Sequence, residues 1–222
     1  MKKKILAITN RKGGVGKTTV AVNIAAGLAA NHNVKCVLVD ADPIGSSTLW
    51  LNDAHIKNLK LRKLTLPNVP NNINHALQSW GATISAVSLD YDIVVIDLPP
   101  IDIVVFSELI HHVDLVIIPV GLSSLEWEAS FPLIERVISA SKDSNKRKGI
   151  IVPSRIHPQK ILPREKIEEV LPIQWSLSPQ ISLRSAFQRA SDLKNWVGNT
   201  AKNSLAHKEI NKLVNFIIQE IK

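Results

Sequence analysis

The chain has 222 residues, of which 45% are hydrophobic, so it can bury one large core without a second domain. No uninterrupted apolar run approaches the roughly 18 residues that a membrane-spanning helix requires. The first apolar segment runs directly into a glycine-rich loop, which predicts a strand rather than a signal peptide. The single cysteine, Cys36, lies in an apolar run and is expected to be a buried strand residue, so a cytoplasmic protein is implied.

The net charge of +8 is unevenly distributed along the chain. Residues 1–141 contain 12 Lys and Arg against 12 Asp and Glu, whereas residues 142–222 contain 15 against 7. This asymmetry predicts one electropositive surface, which is typical of proteins that dock on nucleic acid or on an anionic membrane. Scattered surface lysines that only aid solubility are the alternative.

Apolar runs of strand length alternate with helical patterns. Strands are predicted at Lys4–Thr9, Val34–Asp40, Ile93–Asp97, Leu115–Val120 and Gly149–Val152, with a further edge strand at Leu61–Leu66. Helices are predicted at 16–30, 73–88, 103–111, 124–140, 163–170, 184–195 and 204–221, with a short one at Ser47–Leu51. Residues 67–72 predict a turn-rich connection, and residues 142–149 predict an exposed basic loop, for which phosphate contact is the alternative. The alternation predicts an α/β fold, in which a single domain over residues 1–222 contains a doubly wound, mostly parallel sheet flanked by helices.

The loop between the first strand and the first helix has the composition of a phosphate-binding loop. Its three glycines let backbone N–H groups turn towards phosphate oxygens, and the start of the helix adds its positive dipole end. Lys17 would neutralise the outer phosphates, and Thr18 would give its hydroxyl to Mg²⁺. The predicted nucleotide-binding residues in this loop are Lys12, Gly13, Gly14, Val15, Gly16, Lys17, Thr18 and Thr19. A glycine-rich turn without a ligand is the alternative.

Carboxylates follow two of the buried strands. Asp40 and Asp42 come at the end of the second strand and Asp97 ends the third, at the edge where open α/β sheets hold their ligands. Asp97 is expected to hold Mg²⁺ through water. Because Ala41 separates Asp40 from Asp42, different roles are expected for the two if the strand continues. A dinucleotide site with Asp40 on a ribose hydroxyl is the alternative, but it explains neither Lys17 nor the second aspartate.

The motif Lys-Gly-Gly-Val-Gly-Lys-Thr at residues 12–18 departs from the usual phosphate loop, because Arg11 stands where that pattern has glycine. It resembles the deviant Walker A motif of the ParA/MinD family of P-loop ATPases. The resemblance implies Mg²⁺-dependent ATP hydrolysis, in which Asp42 orients or activates the attacking water and Asp40 supports the magnesium shell and a switch. It also implies a homodimer that sandwiches two ATP molecules. Lys12 and Lys17 would both act in catalysis, and Lys12 would do so by reaching the nucleotide of the second protomer. A solvated loop lysine is the alternative for Lys12.

Because the first strand begins at about Lys4 with no helix-turn-helix before it, the resemblance is to the small ParA proteins that do not themselves bind an operator. Residues 184–190 resemble the segment with which ParA proteins contact DNA phosphates, and ordinary surface charge is the alternative for each cation. The predicted DNA-binding residues are Arg184, Arg189, Lys194, Lys202 and Lys208. The resemblance implies salt-sensitive, non-specific DNA binding, nucleoid association, and a ParB-like or other adaptor that stimulates hydrolysis. Arg155 is a candidate for contact with the base.

Two other functions remain open on the sequence alone. Apolar residues at helical spacing from Leu205 to Ile221 would suit the membrane interface of a MinD-like regulator, although a final core helix is favoured. A metabolic P-loop enzyme would use the same cradle for a small substrate, without a second protomer.

Overall fold

The computed structural model describes residues 3–52, 54–67, 73–121, 123–142, 148–160, 165, 167, 171 and 175–222. Most of the predicted helix at 163–170 lies outside these residues, as do residues 68–72 of the predicted connection and residues 143–147 of the predicted basic loop.

Within the described residues, the apolar runs form a parallel eight-stranded sheet. Its strands are β1 (Lys4–Ile8), β2 (Cys36–Asp40), β3 (Leu59–Lys63), β4 (Ile93–Asp97), β5 (Leu115–Val120), β6 (Lys148–Ile156), β7 (Trp175–Leu177) and β8 (Ile181–Ser182). Their order is β3-β2-β4-β1-β5-β6-β7, and β8 pairs with the outer part of β6. Every pairing is parallel. The strands in the middle are buried along their whole length, which explains why they read as continuous apolar runs.

Helices cover both faces of this sheet. They are α1 (Lys17–His32), α2 (Ser46–Trp50), α3 (Ile73–Ser88), α4 (Ile103–Leu109), α5 (Ser124–Lys142), α6 (Ser185–Asp192), α7 (Val197–Thr200) and α8 (Leu205–Glu220), with a 3₁₀ turn at Ile110–His112 after α4. Alternate residues of β1 point to opposite faces: Leu6 joins the apolar cluster of α1 and α8, whereas Ala7 joins that of α3, α4 and α5. The predicted doubly wound α/β fold is confirmed.

The last helix is part of the core. The buried face of α8 includes Ile210, Leu213, Val214 and Ile217 and packs against α1. The approach is close, because a Cβ on Gly27 of α1 would lie 2.8 Å from Val214 Cγ2. The apolar stripe of α8 is therefore used inside the protein, as the favoured interpretation predicted.

Some elements differ from the prediction. The edge strand spans Leu59–Lys63 rather than 61–66, because its register is set by pairing with β2 from Cys36 to Asp40. The strand predicted to end at Val152 continues to Ile156. The short elements β7, β8 and α7 were not predicted, since two to four residues carry too little periodicity to be recognised.

Candidate functional site: a phosphate loop and two buried carboxylates

The topology brings the predicted site together at one edge of the sheet. Ile8, at the end of β1, lies beside Asp97 at the end of β4, and Asp97 lies beside Asp40 at the end of β2. The loop that follows β1 therefore begins next to Asp97 and one strand away from Asp40. This is the carboxyl edge of a parallel sheet, where α/β proteins bind their ligands.

The glycine-rich loop has the backbone of an anion cradle. Gly14 and Gly16 have φ of 73° and 96°, in the left-handed region that glycine adopts without strain. A Cβ on Gly16 would also lie only 2.7 Å from Ser154 Oγ. Gly16 caps α1 without a side-chain hydrogen bond. The first N–H groups of α1 thus lack a side-chain cap and, with the helix dipole, favour a phosphate.

The two lysines of the loop have different environments. Lys17 is 8% exposed, and its Nζ donates to the Lys12 carbonyl over 2.9 Å. Burial lowers the pKa of Lys17, while the charges of Asp97 and Asp42 oppose that change. The Lys12 side chain, by contrast, is 45% exposed, and its Nζ lies 3.6 Å from Glu126 Oε1 on α5. Lys17 is inside the cradle, whereas Lys12 is at its rim.

Asp97 is almost fully buried and only partly satisfied. Its Oδ2 accepts a 2.5 Å hydrogen bond from Ser47 Oγ on α2, whereas its Oδ1 has no hydrogen-bond partner among the described residues. Burial raises the pKa of Asp97 to about 6, although hydrogen bonding by Ser47 and Thr18 opposes the shift. A buried carboxylate oxygen without a hydrogen-bond partner among the described residues fits the outer shell of a bound cation.

Asp40 has a different set of contacts. Its Oδ2 accepts hydrogen bonds of 2.7 Å from both the backbone N–H and the hydroxyl of Thr48, and its Oδ1 accepts from the backbone N–H of Asp42 over 3.2 Å. Both oxygens are engaged by the segment that follows β2. A carboxylate has about four acceptor sites, and these hydrogen bonds use three of them, so Asp40 can still accept from a water molecule. Its expected roles in the magnesium shell and in a switch stay predictions.

Asp42 lies in that segment, at the mouth of a cavity. Its Oδ1 accepts from the backbone N–H of Ile44 over 2.9 Å, which forms a tight local turn. Ile44 itself is 75% exposed. Asp42 is therefore close to the phosphate loop without being buried, as a residue that meets a water molecule would need to be.

The cavity has a volume of about 840 Å³, enough for a nucleotide. Its lining includes residues of the phosphate loop and Asp42, together with the apolar residues Ile181, Leu183 and Phe187. These apolar residues were not selected from the sequence, because nothing in their local pattern distinguishes a cavity wall from core.

Arg155 is placed against the phosphate loop. It lies within β6, at an irregular pairing with β8, and has a left-handed φ of 57°. Its Nη1 donates to the Gly14 carbonyl over 2.5 Å. This contact places Arg155 beside the phosphate loop, and its contact with the base stays a prediction.

The five predicted DNA-binding residues have different environments. Arg184 lines the cavity and forms a salt bridge of 2.7 Å with Glu209 of α8, so its charge is largely neutralised. The other four are exposed on α6, on α8 and in the turns beside them: Arg189, Lys194, Lys202 and Lys208.

Three polar residues in these contacts were not predicted. Ser47 bonds to Asp97, Glu126 lies beside Lys12, and Glu209 accepts from Arg184 and from the backbone and hydroxyl of Ser182. Ser123 and Glu126 form reciprocal bonds at the start of α5, a spacing typical of a capping box that the sequence does show. The long-range partners carry no such local signal.

Fold and site together define an α/β protein of the P-loop nucleotide-binding class. A family profile described as an AAA domain matches residues 3–79. The maintenance of carboxysome distribution protein A of Halothiobacillus neapolitanus is 33% identical over 160 residues, which cover 72% of this chain and 69% of that protein. The sporulation initiation inhibitor protein Soj of Bacillus subtilis is 30% identical over 174 residues, which cover 64% and 68%.

Among solved structures, the septum site-determining protein MinD of Pyrococcus horikoshii, complexed with Mg-ADP, superposes with a TM-score of 0.76 at 16% identity. The superposition covers 98% of this chain and 96% of MinD. This protein belongs to the ParA/MinD family of P-loop ATPases, as its deviant Walker A motif indicated.

Proposed function

We propose that this chain is a Mg²⁺-dependent ATPase that dimerises on ATP, binds DNA without sequence preference and positions or segregates a cargo. The observation that carries the proposal is the division between its two loop lysines, one enclosed at the phosphates and the other half-exposed at the rim. A single-protomer enzyme needs only the first of these. The second is free to meet charge on another molecule if it leaves Glu126.

The residues present fit Mg²⁺. Among the described residues there is no group of three His, Cys, Asp or Glu side chains that would hold a metal by itself, so the ion would depend on nucleotide phosphates. Thr18 would supply a hydroxyl and Asp97 a carboxylate acting through water. When bound, the ion neutralises charge on the phosphates.

The chain's own residues then have distinct tasks. The loop N–H groups and Lys17 bind and orient the phosphates, while Asp42, held by Asp40, positions the attacking water. Lys12 of a partner protomer would stabilise the negative charge that develops at the transferred phosphoryl group. This arrangement predicts that hydrolysis depends on protein concentration.

The test combines turnover with mass. Wild-type protein should become dimeric, by light scattering, with ATP and Mg²⁺ but not with ADP. Lys12→Ala should bind ATP yet remain monomeric and hydrolyse it at least about 10-fold more slowly. Arg11→Ala, which removes the adjacent exposed cation of the same loop, is the matched control and should dimerise. A monomeric wild type that hydrolyses ATP at a rate independent of its concentration would contradict the proposal and favour a metabolic P-loop enzyme.

DNA binding is supported by the charge of the C-terminal third, which holds 15 Lys and Arg against 7 Asp and Glu from residue 142 onwards. Exposed cations give affinity that is independent of sequence and falls steeply with salt. Such binding would place the protein on the nucleoid in the cytoplasm. A ParB-like or other adaptor would then stimulate hydrolysis and release from DNA. That adaptor would determine whether the cargo is a plasmid, a chromosome or a protein body.

A membrane-cycling function has less support. The apolar face of α8 is packed against α1 and is therefore used inside the protein. Within the described ranges no helix is long and apolar enough to cross a bilayer, a finding that does not bear on a helix lying in the membrane interface. Liposome binding with ATP, lost when the end of α8 is deleted, would favour that function over DNA binding.

A further inference from the structure

Two adjacent hydroxyls at the start of α2 contact the two buried carboxylates of the site. Ser47 donates to Asp97 over 2.5 Å, and Thr48 donates to Asp40 over 2.7 Å. The carboxylates end neighbouring strands in register, so consecutive residues of one helix can reach both. Two side-chain hydrogen bonds therefore connect the start of α2 to the carboxylates of the site.

The same segment carries Asp42. Its turn is closed by hydrogen bonds from the Gly45 N–H to the Asp42 carbonyl and from the Asp42 N–H to Asp40. On the outer side, Ile44 is exposed and Lys63 Nζ lies 3.3 Å from the Pro43 carbonyl. Residues 42–48, called here the α2 entry segment, therefore have an inner side that is hydrogen-bonded to Asp40 and Asp97 and an outer side that is exposed to solvent.

Ser47 is completely buried, and the second carboxylate oxygen of its partner Asp97, Oδ1, has no hydrogen-bond partner among the described residues. A hydroxyl on Oδ2 fixes the rotation of the carboxylate, which determines where Oδ1 points. Groups that orient metal-binding side chains in this way affect metal affinity without touching the metal. The hydrogen bond is compatible with a water-mediated role of Oδ1, because the two oxygens are used separately.

We propose that Ser47 is a positioning residue for the magnesium site, which aims Asp97 and ties its orientation to the α2 entry segment that carries Asp42. The inference deepens the proposed function, since it concerns the same site. Magnesium affinity and water positioning are then linked through one buried hydroxyl, so that an α2 entry segment displaced from the site would weaken the cation site as well.

The test uses Ser47→Ala and measures nucleotide binding rather than turnover. The affinity of a fluorescent ATP analogue is determined by anisotropy in EDTA and across a Mg²⁺ titration. Ser47→Ala should bind the analogue in EDTA within about 2-fold of wild type, because the loop is intact. The Mg²⁺ concentration that gives half of the affinity gain should rise about 10-fold, as expected for loss of an orienting hydrogen bond.

Ser139→Ala is the matched control, because it removes an exposed hydroxyl that bonds to the Glu135 carbonyl on α5, and it should titrate as wild type. Ser47→Cys fills a similar buried volume with a weaker hydrogen-bond donor and should give an intermediate Mg²⁺ requirement. This variant also tests the inference if Ser47→Ala folds poorly. Thermal melting checks each protein before titration.

An unchanged Mg²⁺ requirement in Ser47→Ala would overturn the inference, and so would an equal loss of affinity in EDTA and in Mg²⁺, because that loss means general damage to the cavity. A wild type whose nucleotide affinity does not depend on Mg²⁺ would instead contradict the proposed Mg²⁺-dependent ATPase itself. The two failures are therefore distinguishable.

Discussion

The carboxyl edge of the sheet and the C-terminal third both carry charged residues, but in different environments. At the sheet edge, Lys17, Asp40 and Asp97 are buried and joined to neighbours by short hydrogen bonds. In the C-terminal third, by contrast, Arg189, Lys194, Lys202 and Lys208 are exposed. Substitutions at the carboxyl edge should therefore have large, specific effects on ATP binding or hydrolysis. Substitutions in the C-terminal third should have small, additive effects on DNA affinity that depend on salt.

The largest effect is expected for Lys17→Ala. Its ammonium is the enclosed cation of the phosphate cradle, and losing a charge-assisted contact in such a site costs about 3 kcal/mol, or about 100-fold in ATP affinity. Titration with a fluorescent ATP analogue measures this loss. Lys12→Ala should retain the wild-type affinity in the same titration, and equal losses in both variants would remove the distinction between an inner and a rim lysine.

Asp42→Ala should separate binding from turnover. The cradle does not include this side chain, so ATP affinity should stay within a few-fold of wild type, while hydrolysis falls about 100-fold because the water is no longer positioned. Phosphate release under saturating ATP is the measurement, and the dimer should persist with ATP. Rapid hydrolysis by this variant would refute the role given to Asp42.

The buried charge of Asp97 should appear in the stability of the ligand-free protein. Its pKa rises from 3.8 to about 6 on folding, so the native state holds the proton more tightly and this group's contribution to stability falls as pH rises between those values. The full penalty is as much as about 3 kcal/mol above pH 6. Asp97→Asn should therefore gain in free energy of unfolding, relative to wild type, as pH rises from 4 to 7.

Denaturant unfolding at pH 4.5 and 7.5 measures that difference, without nucleotide or Mg²⁺. Asp90→Asn, at an exposed carboxylate in the turn before β4, is the control and should show no such change with pH. A difference between Asp97→Asn and wild type that is the same at both pH values would contradict the account of Asp97.

The smallest effects are expected among the basic residues. Lys202→Ala and Lys208→Ala should each weaken DNA binding a few-fold and reduce the slope of log affinity against log salt by about 1. Arg184→Ala should change less, because Glu209 already compensates its charge. Anisotropy of a labelled duplex over a salt series is the measurement. A larger effect for Arg184 would mean that its salt bridge opens when DNA binds.

The sequence predicted most of the residues at the carboxyl edge of the sheet, but few of the hydrogen bonds and ion pairs between them. Buried parallel strands read as apolar runs, and the glycine pattern, Lys17 and Asp97 follow from what phosphate requires of a backbone, so these features were readable locally. The contact of Ser47 with Asp97 spans 50 residues and that of Glu209 with Arg184 spans 25, and such pairs depend on how elements pack. The end of the strand that carries Arg155 was predicted too early for a similar reason: β6 continues past a pairing irregularity that no apolar pattern reveals.

The most direct test of the central claim is the binding of purified wild-type protein to a non-specific DNA duplex at two salt concentrations, with no nucleotide, with ADP, and with ATP plus Mg²⁺. The account predicts tight binding with ATP and Mg²⁺ only, weakened at the higher salt. Equal DNA affinity in all three nucleotide states would contradict it, because the phosphate site and the basic surface would then be uncoupled.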